Sequence, residues 1–174
     1  MTTYAALLRG INVGGNNKVP MSQLKVLFEE LGHADVVTYI QSGNVAFRAS
    51  RADTPAIEQR ITEVFGLEVA VVLRTGAELV AAAAGNPFLA KAGETKRLYV
   101  VFLDKRPGAG AVEQLDPDRS PGDRFSLDGR DLYLDLATGA GRTKLTLDYF
   151  ERKLGVKGTA RNWNTVLKLV ELTS

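Results

Sequence analysis

Arg9 and Lys18 flank the run GINVGGNN, which holds three glycines and three asparagines, and no carboxylate falls anywhere in residues 9–20. A guanidinium presents a planar fork of five donors, and an ammonium is a compact point charge; asparagine amides both donate and accept. Backbone N–H groups at Gly14 and Gly15 can approach a phosphate closely, and a helix opening near Pro20 would point its positive end at the same loop. Arg9, Asn12, Gly14, Gly15 and Lys18 are thus a set for holding an anion. They are not a set for acid–base chemistry, which needs a proton acceptor that this stretch lacks. Glycine and asparagine are also what a loop with positive φ uses, so a purely structural reading stands beside the ligand reading.

Two further segments carry polar chemistry. Gln41-Ser42-Gly43-Asn44 is a short polar interruption in VVTYIQSGNVAF, readable as a hairpin turn or as amide and hydroxyl ligands. TARNWNTV, residues 159–166, gathers Arg161, Asn162, Trp163 and Asn164 around the chain's single tryptophan. As structure, Asn162 or Asn164 caps the last helix and Trp163 fills a core. As function, Arg161 and Trp163 supply a cation and a stacking plane for a base or sugar. Recognised fingerprints do not fit. Gly10, Gly14 and Gly15 are not spaced as a dinucleotide loop, and Gly15 is followed by Asn16 rather than the Lys-Ser/Thr of a P-loop. DPDRSPGD departs from a calcium loop at Pro121 and Leu127. SGNVAF shares only Gly43 and Phe47 with an RNA-recognition motif, and His33 has no visible partner.

The elements that must position these residues follow from periodicity. YAALLR reads as a buried strand. VPMSQLKVLFEELG is an amphipathic helix with Pro20 in its first turn, Leu24, Leu27, Phe28 and Leu31 inward, and Gly32 as its stop. VVTYIQSGNVAF is a hairpin, TPAIEQRITEVFG a second helix with Thr54 as its expected cap, and LEVAVVLRT a fourth strand. The order β-α-β-β-α-β is the ferredoxin-like unit, and residues 97–174 read as a second pass through it. The fold class is α+β: two tandem ferredoxin-like subdomains with antiparallel sheets, residues 1–86 and 97–174, joined by a linker at 87–96. In that topology Arg9-Gly10 and residues 41–44 fall at one edge of the first sheet. YAALL, VAVVL and LYVVFL are apolar on both alternating faces, so both faces of these sheets must be covered, by the other unit or by a partner chain.

Composition narrows the classes. The chain has 174 residues, 45% of them apolar, enough for a real core, and a net charge of only +2, which does not by itself indicate a nucleic-acid binder. Residues 1–86 carry 7 basic and 8 acidic side chains, and residues 87–174 carry 15 and 12, a modest basic bias toward the C-terminus. There is no cysteine and one histidine, which removes thiol nucleophiles, disulfides and the usual zinc sets. No metal site or cofactor is indicated. No signal segment or membrane-length apolar run is visible, so the expected compartment is the cytoplasm.

The blocks LLRGINVGGNNKVPM, TYIQSGNVAF and TARNWNTVLKL resemble, in order, the signature blocks of a bacterial family designated domain of unknown function 1697. The resemblance implies two α+β subdomains of ferredoxin-like topology. It also places Arg9, Gly10, Asn12, Gly14, Gly15, Lys18, Gln41, Ser42, Gly43, Asn44, Arg161, Asn162, Trp163 and Asn164 at signature positions, without a catalytic role for any. Three functional readings follow. The first is a binding module for an anionic ligand (a nucleotide, a phosphorylated metabolite or a nucleic-acid end) in a polar cleft. The second is a hydrolase or transferase working without cysteine or histidine. The third is an interaction or dimerisation module, with monomer and homodimer both open.

Overall fold

The computed structural model describes residues 1–90 and 94–174. The chain divides into two units, Met1–Ala81 with Lys168–Ser174, and Ala82–Leu167. Part of the expected linker, residues 91–93, lies outside the described residues. The division falls inside a helix instead of between elements, and the last seven residues belong with the first unit. Gly76 explains that membership: a Cβ there would lie 2.5 Å from the Thr173 carbonyl oxygen, so only glycine admits the C-terminal turn this closely.

The first unit runs β1 (Thr2–Leu8), α1 (Met21–Glu30), β2 (Ala34–Tyr39), β3 (Asn44–Ala49), α2 (Thr54–Phe65), β4 (Val71–Thr75) and the start of α3 (Gly76–Ala84). Its sheet has the order β2-β3-β1-β4 with every pairing antiparallel, the ferredoxin-like arrangement. Alternate strand residues Ala6, Leu8, Val45, Phe47 and Val71 share one core with Leu24, Leu27 and Phe28 of α1 and Ile57 and Ile61 of α2. The helical residues recur every three or four positions, which puts them on one stripe. Each fully buried leucine or phenylalanine contributes about 1.5–3 kcal/mol. Gly66, at φ 69°, terminates α2. The cap of α2 is Asp53, one residue ahead of the expected Thr54; Thr54 is already helical, and Asp53 holds the extended backbone a cap position requires.

The second unit contains β5 (Leu98–Leu103), β6 (Arg124–Asp128), β7 (Asp131–Asp135), α4 (Leu147–Leu154), β8 (Gly158–Asn162) and the start of α5 (Trp163–Thr173). Its sheet, β6-β7-β5-β8, repeats the first. A single 3-10 turn, Ala111–Gln114, stands where the first unit has α1. The β6–β7 connection is Gly129-Arg130, one residue later than an Asp-Gly turn would be, with Gly129 first and at φ 62°. Thr146 caps α4 through a bond from the Tyr149 N–H, and Tyr149, Phe150 and Leu154 are buried. Asp135 is fully buried and accepts from Arg97 and Arg124. Asp123 accepts from the Ser120 and Thr138 hydroxyls and the Thr138 N–H, which fixes the long loops on either side of the hairpin.

Both alternating faces of the central strands are buried, as their composition requires. Ala5, Ala6, Leu7 and Leu8 are all inaccessible, and so are Leu98, Val100, Phe102 and Leu103. No helix among the described residues is long and apolar enough to cross a membrane.

Candidate functional site

The glycine-rich loop of the first unit is a miniature hairpin. The Asn12 N–H donates to the Asn17 carbonyl at 3.0 Å, and the Asn16 N–H to the Val13 carbonyl at 2.8 Å. Gly14 and Gly15 occupy the two central positions, at φ 56° and 79°, the pair of positive values that a primed two-residue turn demands. Asn12 and Asn17 flank it at φ 54° and 52°, a conformation asparagine tolerates better than most side chains.

Asn12 is the stitch that places this hairpin. Its Oδ1 accepts from the Val19 N–H at 2.8 Å, and its Nδ2 donates to the Val19 carbonyl at 3.0 Å and the Gln41 carbonyl at 2.8 Å. The last bond joins the hairpin to the turn between β2 and β3. A second tie runs from the Leu8 N–H to the Gly43 carbonyl at 2.9 Å. Asn44 is fully buried and locks the turn from inside, donating to the Tyr39 carbonyl at 2.9 Å and the Ser42 hydroxyl at 3.0 Å. Gly43, at φ 90°, is required twice over, since a Cβ there would lie 2.8 Å from Ile11 Cδ1 and 2.9 Å from Leu8 Cβ.

One residue in this turn breaks the usual backbone rule. Ile40 has φ 50°, although β-branched side chains rarely enter the left-handed region, at a cost of about 1–2 kcal/mol. It is 49% exposed, so only part of its surface is available to offset that cost by packing. Val13, on the neighbouring hairpin, is 62% exposed.

The residues singled out by sequence therefore divide into two groups. Asn12, Ser42 and Asn44 use their side chains within the scaffold, and Gly14 and Gly15 make the turn. Lys18 and Gln41 are exposed, Arg9 is half-buried, and Lys18 has no acidic partner among the described residues. Neither residues 9–20 nor residues 40–44 contain a carboxylate, whereas Arg9 and Lys18 both fall in the first of these segments. Among the described residues no three His, Cys, Asp or Glu side chains are grouped to hold a metal ion.

The third segment lies in the second unit. Arg161 is buried on β8 and donates to the Thr159 hydroxyl at 2.6 Å and the Ala160 carbonyl at 2.9 Å. Burial pushes its guanidinium down to about 10, still charged at neutral pH. Asn162 caps α5, its Oδ1 accepting from the Thr165 N–H at 2.9 Å. Trp163 is buried and Asn164 exposed.

Sequence reasoning passed over Arg74, which is 2% exposed and donates to the Leu73 carbonyl at 3.0 Å. It is the counterpart of Arg161. In the first unit Tyr4 pairs with Thr75 and Ala5 with Arg74; in the second Tyr99 pairs with Asn162 and Val100 with Arg161. Each arginine directly precedes a helix cap, and Thr75 and Glu78 form a reciprocal one. Aligning VVLRT with GTARN would have found it.

Comparison with solved structures identifies a conserved bacterial protein, SP0830 from Streptococcus pneumoniae, with a TM-score of 0.75 and 24% identity over 99% of each chain, a likeness of fold. No curated protein matches the sequence significantly. A family model described as protein of unknown function (DUF1697) matches residues 1–133, a span that includes the hairpin and the 40–43 turn but not residues 159–164. This chain belongs to the DUF1697 family.

Proposed function

We infer that the protein is a binding module for an anionic ligand, held at the edge of the first unit where the 12–17 hairpin meets the 40–43 turn. The observation that carries this reading is the Asn12–Gln41 bond, which fastens a loop bracketed by Arg9 and Lys18 onto a second carboxylate-free segment. Two cations on a stiff, multiply bonded loop lose little entropy on capturing an anion, which is the advantage of preorganisation. Arg9 would supply a directional fork, Lys18 a point charge and Gln41 an amide. Arg161, Asn162, Trp163 and Asn164 belong to the second unit. The lack of a carboxylate in residues 9–20 and 40–44 favours binding over hydrolysis or group transfer by these segments.

The test is isothermal titration with inorganic phosphate, sugar phosphates and nucleotides at low and high salt. Saturable binding that weakens with salt is expected, and Arg9→Ala and Lys18→Ala should each weaken it about tenfold, the scale of one charge-assisted hydrogen bond. Wild-type affinity in both variants would overturn the assignment.

A further inference from the structure

The anion reading leaves two observations unused: Ile40 and Val13. Both are exposed aliphatic side chains, at 49% and 62%, and each is adjacent in sequence to one end of the Asn12–Gln41 bond. Ile40 holds a left-handed backbone that asparagine or glycine would adopt without strain, because hydrogen bonds to the Tyr39 and Gln41 carbonyls fix the turn on either side of it. Backbone strain of this kind, held in place by the surrounding hydrogen bonds, clusters at active sites and ligand clamps.

Resting on the reading above, we propose that the ligand of this edge carries a nucleobase as well as a phosphate: Val13 and Ile40 contact the flat apolar face of the base, while Arg9 and Lys18 hold the phosphate. A bare phosphate or a sugar phosphate would leave both aliphatic side chains in water. A nucleotide joins an anion to a planar group whose faces are apolar, which matches the two chemistries fastened together here. A free nucleoside monophosphate and the 5′-phosphorylated end of an oligonucleotide share that chemistry.

The experiment titrates the full chain with inorganic phosphate, ribose 5-phosphate, adenosine 5′-monophosphate and a 5′-phosphorylated pentanucleotide. The monophosphate should bind at least tenfold tighter than ribose 5-phosphate. Ile40→Asn, which suits the left-handed backbone, should shrink that ratio at least fivefold. Ile40→Val should retain it, and Lys18→Ala should weaken both ligands while keeping the ratio. A pentanucleotide that binds more tightly than the monophosphate would identify a nucleic-acid end as the source. Equal affinity for ribose 5-phosphate and the monophosphate, or a ratio unmoved by Ile40→Asn, would overturn the base contact and leave the anion site standing. Failure of every phosphate to bind would overturn both.

Discussion

Asn12 and Gln41, 29 residues apart, are joined by a 2.8 Å hydrogen bond from the Asn12 amide to the Gln41 carbonyl. The bond joins the 12–17 hairpin to the 40–43 turn. Its energetic consequence is local, because the same side chain also satisfies both backbone groups of Val19.

Asn12→Ala removes three hydrogen bonds, strands the Val19 N–H, and puts a Cβ-only side chain at positive φ. The expected loss is about 3 kcal/mol of unfolding free energy, read from urea denaturation. Asn12→Asp keeps the acceptor for Val19 but loses both donors, so it should fall between the wild type and the alanine variant. A loss below 0.5 kcal/mol, within the range of an ordinary surface substitution, would contradict the stitch.

Gly14 and Gly43 both have positive φ, yet they should respond differently to alanine. Open space surrounds Gly14, so Gly14→Ala costs only the backbone penalty, about 1 kcal/mol. Gly43→Ala adds clashes with Ile11 and Leu8, for a total of about 2–4 kcal/mol. Thermal unfolding of the two variants side by side measures the difference, and equal shifts would refute the close packing at Gly43.

Ile40→Gly and Ile40→Asn should both stabilise the protein, by about 1 kcal/mol, because they release backbone strain while giving up little buried surface. The gain is read from the denaturant midpoint at constant slope. A loss of stability would mean the exposed side chain is packed more firmly than its 49% exposure indicates.

His33 and Asp135 are two of the groups that set the pH dependence on the acid side. Burial beside the Phe28 and Phe47 rings lowers His33 below its ordinary value, so the unfolded chain takes up the proton first. Stability is therefore full above about 6.5 and falls as the pH drops through the folded value. His33→Gln should remove that step. Burial alone pushes the Asp135 carboxyl up, but hydrogen bonds from Arg97 and Arg124 outweigh it and hold it below the usual carboxylate range. Its stabilisation is present above about 4 and lost below, so Asp135→Asn should flatten the curve there. Urea unfolding between pH 3 and pH 8 checks both.

The fold was legible because its signals are local. Leu24, Leu27 and Phe28 mark a helical face, and the apolar runs YAALL and LYVVFL announce strands buried on both sides. The candidate site was legible in place but not in role. Nothing near Asn12 in sequence reveals that its amide is committed to Val19 and Gln41, and nothing near Asn44 reveals its burial; both depend on a partner that only the folded turn supplies. Ile40 gave no signal at all, since an isoleucine after tyrosine in an apolar run looks like strand. Arg74 was hidden for the same reason, as one cation inside VVLRT, until the strand register set it beside Arg161.

The most direct test of the central claim is an amide chemical-shift titration of the labelled protein with a nucleoside monophosphate. Saturating shifts confined to residues 9–18 and 40–44, which need about tenfold more ligand to saturate in Lys18→Ala, are the predicted result. Shifts confined to residues 82–167, or none at millimolar ligand, would contradict it.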